Sequence, residues 1–141
     1  MATPARNGAC VVLDTNIVLD VFVFNDAAAL PLKAALEAGK LDWVATQAMR
    51  DELERVLAYP QIVPRLAFYK LSAADVLANF DRHARLTKVA DKACVTCSDP
   101  DDQKFIDLAI AGQALLLSKD RAVLSMKRRL ASLGVRAQAA I

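Results

Sequence analysis

Apolar residues fall along this chain in two rhythms. Short, mostly unbroken runs stand at 10–13 ("CVVL"), 41–45 ("LDWVA") and 114–118 ("ALLLS"), while elsewhere apolar positions recur three and four residues apart. The first pattern predicts strands covered on both faces, as in a parallel sheet. The second predicts amphipathic helices. Pro4, Asn7 and Gly8 predict a flexible start over residues 1–8. "NIVLDVFVF" then reads as a short helix opening near Asn16, and Asn25–Asp26 caps a second helix that passes Pro31 and ends at Gly39. Thr46 opens a helix to about Ala58, stopped by Tyr59–Pro60. Residues 60–70, with Pro60 and Pro64, form a connection or short helix, and Ser72 caps a helix to about Leu86. Asp99–Pro100 breaks the chain before a helix from about Asp102 to Ala111, ended by Gly112. A last helix spans about Asp120 to Leu133, and "VRAQA" follows as a candidate edge strand. Strands alternating with helices predict an α/β sandwich of three layers around a mainly parallel sheet, with residues 1–141 as a single domain.

Composition narrows the chemistry mainly by exclusion. The chain is 55% hydrophobic but only 6% aromatic, so its core must be aliphatic, and its net charge of +2 is too slight to name a polyanionic partner. No glycine forms a phosphate-cradling G-x-G-x-x-G or G-x-x-x-x-G-K loop, which argues against dinucleotide or P-loop nucleotide binding. Cys10 reads as a small core residue. Cys94 and Cys97 form a lone C-x-x-C, with only Cys10 and His83 available to complete a zinc site, so incidental cysteines are the simpler reading. There is neither a signal-like apolar segment nor a membrane-length run, and a reducing cytoplasm is the expected setting.

The acids change the picture. Asp14 ends the first strand and Asp120 follows the third run after Ser118 and Lys119, so both are expected at the carboxyl rim, where open parallel sheets bind ligands. Asp102 lies in line with Phe105, Ile106 and Ala109, on the buried stripe of its helix, whereas Asp107 points away and is expected to be solvated. On the helix after Thr46, Glu52 lies nearest the stripe of Met49, Leu53 and Val56, with Asp51 and Glu54 outward. Taken singly, a helix cap is the simpler account of Asp14, Asp102 and Asp120. Taken together with Glu52, they describe four carboxylates on one rim. Such a group needs a counter-cation, and a hard divalent ion held by oxygens suits it. An acidic site with no histidine and no nucleophile dyad reads as metal-assisted phosphodiester hydrolysis.

At these residues the sequence resembles the PIN-domain ribonucleases, especially the VapC-like toxins of toxin–antitoxin pairs. The matching pieces are "VVLDTN", "TQAMRDELERVL", "DPDDQKFIDLAIAG" and "LLLSKD", in the family's order from Val11 to Asp120. The resemblance implies a Rossmann-like sheet and Mg²⁺ or Mn²⁺ held by Asp14, Glu52, Asp102 and Asp120, with Asn16 and Ser118 supporting them. It also implies endonucleolytic cleavage of RNA, a homodimer, and inhibition by a cognate antitoxin protein. Asp99 and Asp101 stand beside Asp102 as alternative third acids. Asp20, where the family is usually apolar or small, reads as a surface residue.

Around an acidic pocket that admits RNA, cations are expected; Lys119, Arg121 and Arg50 flank the proposed ligands, while Lys127–Arg129 reads as a solvated helix face. Tyr59 and Tyr69 could stack bases, Trp43 belongs to the core, and His83 reads as exposed and inert. "FVFNDAAALPL" suits either a dimer or antitoxin interface or the core. The rival readings are a catalytically idle PIN-like module that binds RNA or antitoxin, and a haloacid-dehalogenase-like phosphatase. The latter wants a second aspartate where this chain has Asn16.

Overall fold

The computed structural model describes residues 9–141, so the expectation for residues 1–8 lies outside the described residues. Five strands form one sheet: β1 (Ala9–Leu13), β2 (Leu41–Ala45), β3 (Ala84–Leu86), β4 (Leu115–Leu117) and β5 (Ala137–Gln138). Their order across the sheet is β3-β2-β1-β4-β5, and every described pairing is parallel. Each return to the same end of the sheet therefore needs a crossover, and the helices supply it. These are α1 (Thr15–Phe22), α2 (Leu30–Glu37), α3 (Gln47–Leu57), α4 (Val63–Phe68), α5 (Ala73–His83), α6 (Gln103–Gly112), α7 (Arg121–Leu124) and α8 (Lys127–Ser132).

The unbroken apolar runs are where the core is densest. Val11 and Val12 of the central strand and Leu116 and Leu117 of β4 are fully buried. Trp43 packs near-parallel to Phe22 at 6.1 Å and edge-on to Phe80 at 5.0 Å, so these three aromatics form one group on the β2 side. The apolar stretch at 22–32 is largely spent on this core: Phe22, Val23 and Leu32 are buried, and only Leu30 of its large residues is exposed.

Several boundaries differ from expectation, each for a local reason. The first helix begins at Thr15, with Asp14 rather than Asn16 at its cap position. The helix opened by Ser72, through a reciprocal Ser72–Asp75 capping box, stops at His83 rather than Leu86. Its last three expected residues form the edge strand β3 instead. Arg85 there grips the buried Asp42 of β2 through two bonds, at 3.1 and 2.7 Å, and this partner 43 residues away overrides local helix preference. His83 is half-buried and lies flat against Phe22 at 5.8 Å, so it is not an exposed bystander. Gly112 is the last helical residue of α6, and Gln113 takes the left-handed conformation, its amide donating to the carbonyls of Ile110 and Leu133. Asp107 is half-buried, not solvated: it accepts from the Ala93 amide and from Gln103, pinning the 87–99 connection to α6.

Because Leu116 sits fully buried between β1 and β5, Leu116→Ala is expected to lower unfolding free energy in urea by about 2–5 kcal/mol. Phe68→Ala, at a residue 79% exposed, should change it by no more than about 0.5 kcal/mol.

Candidate metal centre at the sheet switch point

From β1 the chain moves to β2 on one side, and from β4 to β5 on the other. The chain thus leaves these two neighbouring strands in opposite directions, and open parallel sheets bind ligands outside the carboxyl ends of the strands at such a point. Asp14 stands directly after β1, its amide bonded to the Leu117 carbonyl at 3.0 Å, which ties the two strand ends together. Ser118 follows β4 in full burial and donates its hydroxyl to Asp14 Oδ2 at 2.7 Å. The same hydroxyl accepts the Asp120 amide at 3.0 Å. One small side chain thus sets the position of two acids. The turn Pro100–Asp102 opens α6 and delivers Asp102 to the same place.

Asp14, Asp102 and Asp120 each offer a carboxylate oxygen within 4.8 Å of the others. The helix-cap account can be tested on each. Asp14 and Asp102 occupy cap positions yet make no side-chain cap bond. Asp120 does cap α7, its Oδ1 accepting the Ala122 amide at 2.8 Å. Asp102 is 7% exposed, and its Oδ2 is buried with no hydrogen-bond partner among the described residues. A buried carboxylate oxygen without a donor is costly unless something positive meets it.

Electrostatics tell the same story. Burial, then the charges of Asp14, Asp120 and Asp99, and last a side-chain hydrogen bond with Asp120, push the Asp102 carboxyl up to about 7. Burial also raises Asp14, against the opposing hydrogen bond from Ser118. Three oxygens of this type suit a hard divalent cation, and the unpartnered Asp102 oxygen is where the fit is most specific.

Glu52, the fourth expected acid, lies near this group but not within it. Its Oε2 accepts a hydrogen bond from the Thr15 hydroxyl, and its Oε1 accepts one from Lys104 Nζ at 2.8 Å. Thr15 and Lys104 were not singled out by sequence reasoning. The signal was available in both cases: Thr15 adjoins Asp14, and Lys104 follows Asp102 by two residues at the start of α6.

The remaining candidates divide. Asn16 is exposed, and no hydrogen bond links it to the acids among the described residues. Asp99 caps the turn before α6 by accepting the Asp101 amide at 3.0 Å, and Asp101 is exposed. Arg50 grips Asp81 through two bonds, at 2.7 and 2.9 Å. Arg121 is exposed. Lys119 pairs at 2.5 Å with Asp20, which is buried rather than on the surface. Lys119 reaches it from the loop that carries Asp120, so the extra acid on α1 meets a cation instead of water.

A parallel sheet with carboxylates gathered at its switch point defines a Rossmann-like α/β protein with an acidic centre. Within that class, the PIN-domain model matches residues 10–122, and the chain belongs to the PIN-domain family. Its fold is similar to that in the crystal structure of VapBC2 from Rickettsia felis bound to a DNA fragment from their promoter. The TM-score is 0.59 at 12% identity, over 91% of this chain and 98% of that one. No curated protein matches the sequence.

A carboxyl whose folded value lies above its unfolded one binds a proton more tightly when folded. It therefore opposes folding increasingly as pH rises from about 4 through about 7. In chelator-treated protein, Asp102→Asn is expected to raise Tm by roughly 3–8 °C at pH 8, and by much less at pH 4.5. Thermal melts at the two values check this.

Proposed function

We propose that this protein is a metal-dependent endoribonuclease, the toxin of a toxin–antitoxin pair, acting as a single PIN-like domain in the cytoplasm. The observation that carries the reading is the gathering of carboxylate oxygens from Asp14, Asp102 and Asp120 within 4.8 Å of one another, with Oδ2 of Asp102 buried and unpartnered. Family membership and the switch-point position support it. In this reading Asp14, Asp102 and Asp120 hold Mg²⁺ or Mn²⁺, and Glu52 completes the acidic wall. The ion would supply an activated water and stabilise charge on the phosphoryl group. Ser118 fixes the rotamer of Asp14 and the approach of Asp120, so that neither acid has to reorganise when the ion arrives.

RNA would approach along the exposed cations of this rim. Arg121 is free to meet a phosphate, and Lys119, with nearly half of its side chain exposed, could do so while paired to Asp20. Arg50 would have to leave Asp81 first, which makes it the weakest of the three contacts. A protein antitoxin and a second copy of the chain are the proposed partners. The likeness to a VapBC2 complex supports the antitoxin, and the exposed apolar residues Tyr59, Val63, Phe68 and Tyr69 offer a surface that association would cover.

The test is Asp14→Asn with a labelled single-stranded RNA in Mn²⁺. Cleavage should fall by more than about 100-fold while the far-UV spectrum and melting remain those of a folded protein. Undiminished cleavage by the folded variant would overturn the assignment.

A further inference from the structure

Glu52 is the acid whose position differs most from expectation, and the reason lies in its partner. Lys104 Nζ donates to Glu52 Oε1 at 2.8 Å and to the Asp101 carbonyl at 2.5 Å, and it lies 4.9 Å from the centre of the Phe105 ring. An ammonium has three N–H bonds, and here two acceptors and an aromatic face surround it. Glu52 is held on its other oxygen by Thr15. Both members of the pair are largely shielded, with 28% and 19% of their side chains exposed. Lys104 is thus held in place on Glu52 as a bound ion would be.

From this geometry we propose that Lys104 is a positioning residue which takes the place of a second metal ion: it neutralises Glu52 and limits the centre to one divalent cation on Asp14, Asp102 and Asp120. Charge counting favours the arrangement. Four carboxylates near one another need roughly two divalent ions to approach neutrality. With the ammonium paired to Glu52, a single divalent ion brings the group to within one negative charge of neutrality. Glu52 also lies close enough for its charge to be felt at Asp14, so freeing it from Lys104 would create a second pair of facing carboxylates. A two-ion centre needs further carboxylate oxygens beside the first set, and Glu52, whose charge reaches Asp14, is committed to the lysine.

The inference rests on the metal-dependent reading above, and the experiment separates the two. Mn²⁺ bound per chain is counted from the free-ion electron paramagnetic resonance signal at Mn²⁺ concentrations up to the millimolar range. The wild type, Lys104→Met, Lys104→Arg and Lys104→Met/Glu52→Gln are compared, each checked for an unchanged far-UV spectrum. Methionine keeps the apolar stem over Phe105 without the charge, and arginine keeps the charge, so a folded comparison is retained. The expected result is one ion in the wild type and in Lys104→Arg, two in Lys104→Met, and one again in the double variant. Two ions in the wild type, or one in Lys104→Met, would overturn the role given to Lys104 while leaving the nuclease reading intact. No bound Mn²⁺ in the wild type would overturn both.

Discussion

Mutual repulsion among carboxylates at the carboxyl end of a parallel sheet is the constraint around which this protein is organised. Asp14, Asp102 and Asp120 come from three stretches of chain and meet within 4.8 Å. Folding brings them together against their charge, and burial makes the charge harder to bear, which is why Asp102 is held near 7 instead of in the usual carboxylate range. A chain selected only for stability would place a neutral or apolar group at Asp102. The surrounding structure has to hold the acids in place: the strand-end bond from the Asp14 amide to Leu117, the buried hydroxyl of Ser118, and an aliphatic core directly beneath. Strain of this kind is typical of sites where stability is given up for function.

The same constraint explains the pairings around the centre. Three neighbouring acids outside the three-membered group have resident partners. Glu52 has Thr15 and Lys104, and Asp20 has Lys119. Asp99 is turned to a backbone amide. Only the central three are left with oxygens facing one another, and one of those oxygens has no donor among the described residues. The pattern concentrates negative charge at one point and removes it from the neighbourhood, as a site selective for a compact, highly charged ligand requires.

Much of this was legible in the sequence because the strands are written as unbroken apolar runs, and an acid immediately after such a run has few places to go. Asp14, Asp120 and Asp102 could be placed on one rim from strand ends and a single helical stripe. Pairings across long sequence distances were not legible. The edge strand at 84–86 depends on Arg85 meeting Asp42, and local preference favoured a longer helix. The burial of Asp20 depends on Lys119, 99 positions away in the chain. The separation of Glu52 from the other acids depends on Lys104, which sequence spacing assigned to no role. In each case the missing information was which cation an acid would find, a property of tertiary packing and not of periodicity.

Whether the three carboxylates hold a cation is measured most directly by anomalous diffraction from a crystal of the protein equilibrated with Mn²⁺. An anomalous peak bounded by carboxylate oxygens of Asp14, Asp102 and Asp120, with Asp102 Oδ2 among its ligands, is the expected result. A crystal at high Mn²⁺ occupancy elsewhere, with no peak between these three side chains, would contradict it.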